Sequence, residues 1–221
     1  MALTRSDDPL VWIDCEMTGL DHTTDTILSL SCFITTANLD LIEPQGYHCV
    51  IQHTQSQLSS MSPWCIQHHG ASGLTQECLA STTTADTAAA ELLAYIKTHV
   101  PQAKRALLAG NSIHADKMFL ASRRSSCSSS PSSPWQPVLD YLHYRLFDVS
   151  ACKEMVRRWC PLDVLHAVPR KQLQHTARED VLESIDEARF YMALLRGVTL
   201  SSDRIAINRQ TEDKIPHIYL N

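Results

Sequence analysis

The sequence of 221 residues lacks several features that would each identify a class of protein. No run approaches the roughly 20 apolar residues of a membrane span, so we expect no contact with a membrane. No secretory signal is visible, which favours a reducing compartment where thiols stay free. The eight cysteines contain no CxxC pair, which argues against structural zinc. No internal repeat is present.

The chain also lacks an excess of positive charge. It has 19 Lys and Arg against 24 Asp and Glu, and its formal net charge is -5. Proteins that hold long nucleic acids through many phosphates are usually basic. A substrate of a few nucleotides remains compatible with this charge. The first residues, MALTRSDDP, include two acids and make a poor transit peptide. Because no secretory signal is visible, we expect a cytoplasmic or mitochondrial protein.

Three apolar segments near the N-terminus predict an antiparallel meander of three strands. They cover residues 10–16, 26–36 and 47–52. The first segment alternates with a period of two, which places Asp14 and Glu16 on one face and Cys15 on the other.

The rest of the chain alternates between helical and extended patterns. We predict a helix over 85–99, a strand over 105–111 and a helix that begins near 112–115. A strand over 144–150 follows, and Ser150 caps the helix after it. The last helix begins with a capping box at Thr176 and Glu179 and ends at Gly197. Residues 122–134 are serine-rich and predict a flexible surface insertion. The pattern predicts an α/β fold with a mixed five-stranded sheet flanked by helices, in one domain over 8–198 with a tail over 199–221.

Four carboxylates and one imidazole stand on three of these elements: Asp14, Glu16, Asp116, His175 and Asp180. Carboxylate oxygens suit hard divalent cations, and a neutral histidine beside them can act as a base. The set therefore predicts a site for two divalent cations, a chemistry suited to phosphodiester hydrolysis.

Each residue also has a structural alternative. A solvated strand face would explain the first two acids, and a surface helix position would explain Asp116. Asp180 stands in a first helical turn, where the macrodipole favours a carboxylate. With Glu183 and Glu187 it forms a stripe opposite the apolar face, which is typical of a solvated face. A histidine such as His175, just before a helix, is usually an ordinary loop residue.

Five strings in this order resemble the oligoribonuclease family: WIDCEMTGLD, MSPWCIQHHGASGL, GNSIHADKMFL, HYRLFDVS and HTAREDVLESI. That family belongs to the DEDDh exonucleases, in the ribonuclease T and DnaQ-like group of the ribonuclease H-like fold. The resemblance runs from about residue 9 to 197. It implies a 3′→5′ exoribonuclease that degrades short oligoribonucleotides, down to dinucleotides, to nucleoside 5′-monophosphates.

The resemblance also implies roles for individual residues. Asp14, Glu16, Asp116 and Asp180 would bind two Mg²⁺ or Mn²⁺ ions, and His175 would be the general base. Leu20 and Trp64 match positions that wedge against the bases, and His69 lies in a matched stretch. Ser112, His143, Tyr144 and Arg145 match a cap around the 5′ phosphate, part of which the second subunit of a homodimer supplies.

Two departures and two alternatives accompany the resemblance. Ser29 stands where the family commonly has glutamate, and the serine-rich insertion is longer than the family's usual connection. One alternative is a DNA-directed or proofreading-type exonuclease with the same acids. The other is an inactive nucleic-acid-binding module, which should have lost part of the set. Beyond a second copy of the chain, no stable protein partner is indicated.

Overall fold

A computed structural model describes residues 5–123, 132–169 and 177–197. The strands in this part of the chain are β1 (Leu10–Met17), β2 (Ile27–Thr35), β3 (Tyr47–Val50), β4 (Leu107–Gly110) and β5 (His143–Asp148). The helices are α1 (Gln55–Ser59), α2 (Pro63–Ser72), α3 (Leu74–Ala80), α4 (Ala85–His99), α5 (His114–Ala121), α6 (Gln136–Tyr141), α7 (Val149–Trp159), α8 (Leu162–Ala167) and α9 (Ala177–Leu195).

The five strands form one mixed sheet in the order β3-β2-β1-β4-β5. The first three strands pair antiparallel, whereas β1 with β4 and β4 with β5 pair parallel. This confirms the predicted meander and mixed sheet. Strand β3 is shorter than predicted because the N–H groups of Gln52 and His53 donate to Thr83 and Cys78, outside the sheet.

Helices cover both faces of the sheet. Helix α9 packs on β1 and β2, with α7 beside it, while α4, α5 and α6 pack from the other side. The alternation of β1 follows this division: Val11 and Cys15 belong to one buried cluster, and Trp12 belongs to the other. Both faces of the strand are therefore buried over most of its length, as its alternating apolar residues require.

Helices α1, α2 and α3 were not predicted from the sequence. They cover the end of the sheet through a small buried cluster that includes Leu28 of β2 and Cys65 of α2. Ser62 caps the start of α2: its side chain accepts the N–H of Cys65, and Pro63 occupies the first helical position. This Ser-Pro start is a recognisable signal, and it matters because α2 carries Trp64.

The start of α7 differs from the prediction. Asp148, not Ser150, caps the helix, and its side chain accepts the backbone N–H of Ser150. The Ser150 hydroxyl donates to the same oxygen, so it supports the cap from within the first turn. At the last helix, Thr176 lies outside the described residues, and Gly197 adopts a left-handed φ of 66° just after the end.

The two ends of the serine-rich segment are anchored. Ser122 donates to the carbonyl of His22 at 2.6 Å, and Ser133 is buried and donates to the carbonyl of Leu120 at 2.6 Å. Residues 124–131 lie outside the described part of the chain. A flexible surface insertion therefore stays a prediction for the middle of the segment and is wrong for Ser133.

The seven cysteines in the described part of the chain are all free thiols. No helix in it combines the length and the apolar composition that crossing a membrane would require. The proposed domain limits at 8 and 198 stay a prediction, since the last residues lie outside the described ranges.

Candidate metal and substrate site

The acidic residues of β1 lie where the strand extends beyond its neighbour. Strand β4 pairs with β1 only from Leu10 to Trp12, so the second half of β1 has no strand on that side. Asp14 and Glu16 lie in this half and point toward the α9 face, opposite Ser31 and Ser29 of β2. The side chains thus emerge from the core at the open end of the sheet.

Helix α9 brings a third carboxylate to the same place. Asp180 lies in its first turn, and the helix packs across β1 and β2. Asp14, Glu16 and Asp180 each offer an oxygen atom, and these atoms lie within 4.8 Å of one another. All three side chains are partly buried. Three carboxylates at this separation form a donor set that suits a hard divalent cation.

Asp116 lies beside this cluster in a different environment. It is only 6% exposed, so a surface helix position, the structural alternative, is wrong. Its Oδ1 accepts the backbone N–H of Cys15 at 3.0 Å, which replaces the strand pairing that β1 lacks there. Its bond to the backbone therefore fixes α5 against the edge of β1. The three-carboxylate cluster itself does not include Asp116.

The electrostatics of the site favour a bound cation. Burial, together with the charges of Asp180 and Asp116, raises the pKa of Glu16 to about 7. Burial also raises the pKa of Asp116 above its ordinary value. Both groups resist ionisation because the site is poorly solvated, and at Glu16 the charges of two neighbouring carboxylates add to this effect. A divalent cation would stabilise the ionised form, so the residues present fit such an ion.

His175 lies outside the described residues, as do all residues from 170 to 176. The described part resumes at Ala177, the first residue of α9. The role of His175 as a base therefore stays a prediction.

A cleft of about 750 Å³ opens beside the acids. Glu16 lines it together with Leu20 and Trp64, which the sequence assigned to the bases of a substrate. Leu20 is 97% exposed and Trp64 is 64% exposed. Large apolar side chains that are this exposed at the rim of a cleft are typical of a binding surface.

The turn that presents Leu20 is held by its own side chains. Asp25 accepts the hydroxyl of Thr18 at 2.8 Å and the N–H of Asp21 at 3.0 Å. Gly19 packs directly on this carboxylate, and a Cβ there would lie 2.4 Å from Asp25 Oδ2. The turn is therefore fixed before any ligand arrives. The sequence analysis assigned no role to Asp25; the local turn signal is Asp21, whose side chain accepts the N–H of Thr23.

His69 lies beneath the cleft. It is 2% exposed, and its Nε2 donates to the carbonyl of Met17 at 3.0 Å. Strand β1 changes register between Glu16 and Met17, so this bond supports the strand where its pairing is irregular. Burial lowers the pKa of His69, which favours the neutral imidazole. The geometry thus gives His69 a structural contact, and its contact with substrate stays a prediction.

The four residues assigned to the phosphate cap are not all near the acids. Ser112 follows β4 at the acidic end of the sheet and donates its N–H to Asp148 at 3.0 Å. His143 begins β5 and pairs with Leu107, which in turn pairs with Leu10 of β1. Two strand spacings and four residues along β1 separate His143 from Asp14, about 16 Å at the backbone. Within one chain the structure does not bring these groups together.

His143, Tyr144 and Arg145 instead form a stacked array on the edge strand β5. The rings of His143 and Tyr144 are 4.5 Å apart, and the guanidinium of Arg145 lies 5.4 Å from the Tyr144 ring centre. Tyr144 is 73% exposed, and Arg145 is exposed as well. The array therefore presents the Arg145 cation and the Tyr144 ring to solvent, at a distance from the acids of its own chain.

The departure at Ser29 lies directly beside the site. Ser29 is buried and pairs across the sheet with Glu16. Both residues line a second cavity of about 280 Å³ between the sheet and the start of α9. A longer side chain at Ser29 would enter this cavity, so the serine leaves space next to Glu16.

The acidic stripe of α9 is only partly solvated. Glu187 is 1% exposed, so the expectation of a solvent-facing stripe is wrong there. Lys153 of α7 lies 2.9 Å from Glu187 Oε1, and the Tyr191 hydroxyl donates to the same oxygen at 2.7 Å. A lysine from another helix and a tyrosine on the next turn of α9 therefore satisfy Oε1 of this buried carboxylate, whereas its Oε2 is buried with no hydrogen-bond partner among the described residues.

Comparison with known proteins identifies the family. Residues 11–188 match the model of the RNase T exonuclease family. The chain is 40% identical over 193 residues to the probable oligoribonuclease of Schizosaccharomyces pombe, covering 86% of this chain and 70% of that protein. It is 41% identical over 196 residues to the mitochondrial oligoribonuclease of Saccharomyces cerevisiae, covering 86% and 68%.

Among solved structures, E. coli exonuclease I in complex with an oligonucleotide has a similar fold. The TM-score is 0.62 at 12% identity, over 91% of this chain and 42% of that one. The chain thus spans less than half of that nuclease, and the likeness concerns the fold alone. The mixed sheet and its flanking helices have the ribonuclease H-like exonuclease arrangement. On the family match and the two identities together, the chain belongs to the oligoribonuclease family of exonucleases.

Proposed function

We propose that the protein is a 3′→5′ exoribonuclease that hydrolyses short oligoribonucleotides, down to dinucleotides, to nucleoside 5′-monophosphates. The observation that carries this proposal is the cluster of Asp14, Glu16 and Asp180 at a cleft whose rim carries Leu20 and Trp64. The names of the relatives support RNA as the substrate. They do not favour a DNA-directed or an inactive member of the fold.

Asp14, Glu16, Asp116 and Asp180 would hold two divalent cations, Mg²⁺ or Mn²⁺. Bound there, such cations neutralise charge on the scissile phosphate and make water a stronger acid. The acids would hold the cations at the open end of β1, which sets where the phosphate can bind. Leu20 and Trp64 hold the bases at the rim of the cleft, so the 3′-terminal linkage lies over the carboxylates.

His175 would accept the proton of the attacking water. It stands five residues before Asp180 in the sequence, so it is tied closely to the acidic cluster. An unperturbed imidazole has a pKa near ~6.5 and is largely neutral at cellular pH, which suits this task.

A homodimer would complete the site. The array of His143, Tyr144 and Arg145 lies too far from the acids of its own chain to hold the 5′ phosphate of a dinucleotide. On an exposed edge strand it can reach the cleft of a second copy. Arg145 would then bind the 5′ phosphate through its planar fork. The name of the Saccharomyces cerevisiae relative supports a mitochondrial location, one of the two that the sequence leaves open.

The proposal is tested by release of mononucleotide from a 5′-phosphorylated RNA dinucleotide and from a seven-nucleotide RNA. Both are incubated with Mn²⁺ and with excess EDTA. We expect cleavage that requires the cation and favours the dinucleotide. Equal rates on both lengths would contradict the closed cap, and no cleavage of either would contradict the activity.

Two variants on one helix separate the metal site from general stability. Asp180→Asn should lose turnover and cation binding in calorimetry, because Asp180 belongs to the cluster. Asp186→Asn is the matched control, since Asp186 is exposed and pairs only with Arg189 in the described contacts. Asp180→Asn with near wild-type turnover would overturn the metal assignment.

His175→Ala should keep cation binding and lose orders of magnitude in rate.

A further inference from the structure

Trp64 is not an isolated side chain at the rim of the cleft. His68 lies one turn further along α2, and the two rings are stacked with their centres 4.6 Å apart at an interplanar angle of 9°. Residues four apart on a helix lie on the same side, so the helix itself sets this pairing. One face of the indole is therefore covered by the imidazole, and only the opposite face is free to stack on a base.

His68 has a firm support of its own. Its ring meets that of the buried His69 edge to face at 5.7 Å and 73°. His69 in turn donates to the carbonyl of Met17 at 3.0 Å, one residue after Glu16. A continuous series of contacts therefore connects the rim of the cleft with the end of the strand that carries the acids. None of these contacts depends on a ligand.

We propose that His68 is a positioning residue that fixes the Trp64 indole for stacking on an unpaired base. The inference deepens the function proposed above and rests on it: the substrate is a short single strand, whose bases are free to stack. An exposed tryptophan without this support would sample several rotamers and lose that freedom on binding. The stack orders the side chain during folding instead, so less entropy is lost when the nucleotide binds.

The test measures binding and turnover separately. The probe for binding is a 5′-phosphorylated diadenylate with a non-hydrolysable methylenephosphonate linkage, in the presence of Mg²⁺. Binding is followed by the change in tryptophan fluorescence. Two of the four tryptophans, Trp12 and Trp135, are fully buried, and a Trp64→Phe variant identifies the signal of Trp64. Turnover is measured on the natural dinucleotide.

Three variants share the same helix. His68→Ala should raise Kd and KM about two- to tenfold, the usual range for an aromatic pair, with kcat nearly unchanged. Alanine is a strong helix former, so α2 should remain folded. His68→Phe restores a flat ring and should recover most of the affinity. Gln67→Ala, at the exposed neighbouring position, should behave as wild type.

The results distinguish this inference from the proposed function. If His68→Ala matches wild type in Kd, KM and fluorescence, or if His68→Phe fails to recover affinity, the positioning role is wrong. A loss in kcat at unchanged KM would also overturn it. If the wild type binds the analogue but cleaves nothing, the proposed activity fails, and the binding series still decides the role of His68.

Discussion

At Glu16, burial and two neighbouring acids act in the same direction, and both disfavour the charged carboxylate. The pKa in the folded protein, about 7, lies above the ordinary value of 4.5. The folded state therefore binds this proton more tightly than the unfolded state does. The stability that results is present below pH 4.5 and is lost as the pH rises through 7.

The raised pKa of Glu16 predicts how the Tm of the protein changes with pH. In excess EDTA, the Tm of the wild type should fall relative to that of Glu16→Gln as the pH rises from 5 to 8. The variant is the control because its amide does not titrate, so the groups remote from Glu16 cancel, and the difference reports Glu16 together with the two carboxylates whose charges act on it. Adding Mn²⁺ should reduce the difference at pH 8, since the ion stabilises the ionised carboxylate. Parallel Tm curves for the two proteins would contradict the raised pKa.

Substitution of Arg145 tests the proposed contact with the 5′ phosphate. If its guanidinium binds the 5′ phosphate, Arg145→Ala should weaken binding of a 5′-phosphorylated dinucleotide by roughly ten- to a hundredfold. Binding of the unphosphorylated dinucleotide should change much less. Arg145→Lys keeps the charge but loses the fork, so it should recover only part of the affinity. Isothermal calorimetry with both ligands measures this, and equal losses would reject the phosphate contact.

Individual residues differ in how far the sequence predicts them. The period of two in β1 is enough to place Asp14 and Glu16 on one face, because strand geometry is local. The burial of Asp116 is not local, since it depends on a backbone group 101 positions earlier in the chain. The burial of Glu187 likewise depends on Lys153 from another helix. Neither partner is visible in the sequence pattern around the residue.

Among the elements, the turn between β1 and β2 is closely packed around Gly19. We expect Gly19→Ala to destabilise the protein by about 1–3 kcal/mol, because the new Cβ would displace the carboxylate of Asp25. Displacing it also loosens the turn that presents Leu20, so dinucleotide KM should rise. Thermal denaturation and steady-state kinetics measure the two effects.

Gly70→Ala is the matched control for that substitution. A Cβ at Gly70 meets no atom within 4 Å, and Gly70 lies within α2. Alanine there should be neutral or stabilising by up to about 1 kcal/mol. If both alanines changed stability alike, the packing of Gly19 on Asp25 would not explain the result.

Elements with a long, regular pattern were predicted best. The limits of α4, residues 85 and 99, agree with the prediction, since fifteen residues give a clear helical period and Pro101 follows. Helices α1, α2 and α3 are short, and their amphipathic pattern is weak. The Ser-Pro start of α2 is a local signal of a different kind, since it marks where a helix begins. Their stability comes from packing around Leu28, which no local propensity reveals.

For the whole molecule, the proposed homodimer, in which Arg145 of one subunit serves the acids of the other, is tested by mixing two variant subunits. Asp14→Asn and Arg145→Ala subunits should each have little activity alone. In a mixed dimer, the intact acids of one subunit meet the intact arginine of the other at one of the two sites. Random mixing after unfolding and refolding should therefore recover about a quarter of wild-type activity. No recovery would indicate that each chain forms its own complete site.

The sequence predicts the order of elements at this scale better than their assembly. The mixed sheet follows from the meander and the later helix–strand alternation. The distance between His143 and Asp14 follows from the strand order and registers, which the sequence pattern does not specify. His175 itself lies outside the described part of the chain, so its place relative to the acids stays a prediction.

The fixed turn around Leu20 determines how binding should respond to temperature. Because Asp25 and Thr18 hold the turn in the free protein, Leu20 stays in contact with water, and in the proposed complex a nucleotide would cover it. Covering Leu20 and Trp64 removes apolar surface from water, and such burial lowers the heat capacity of the system. The enthalpy of dinucleotide binding therefore becomes more favourable on warming, and a polar residue in place of Leu20 flattens that dependence.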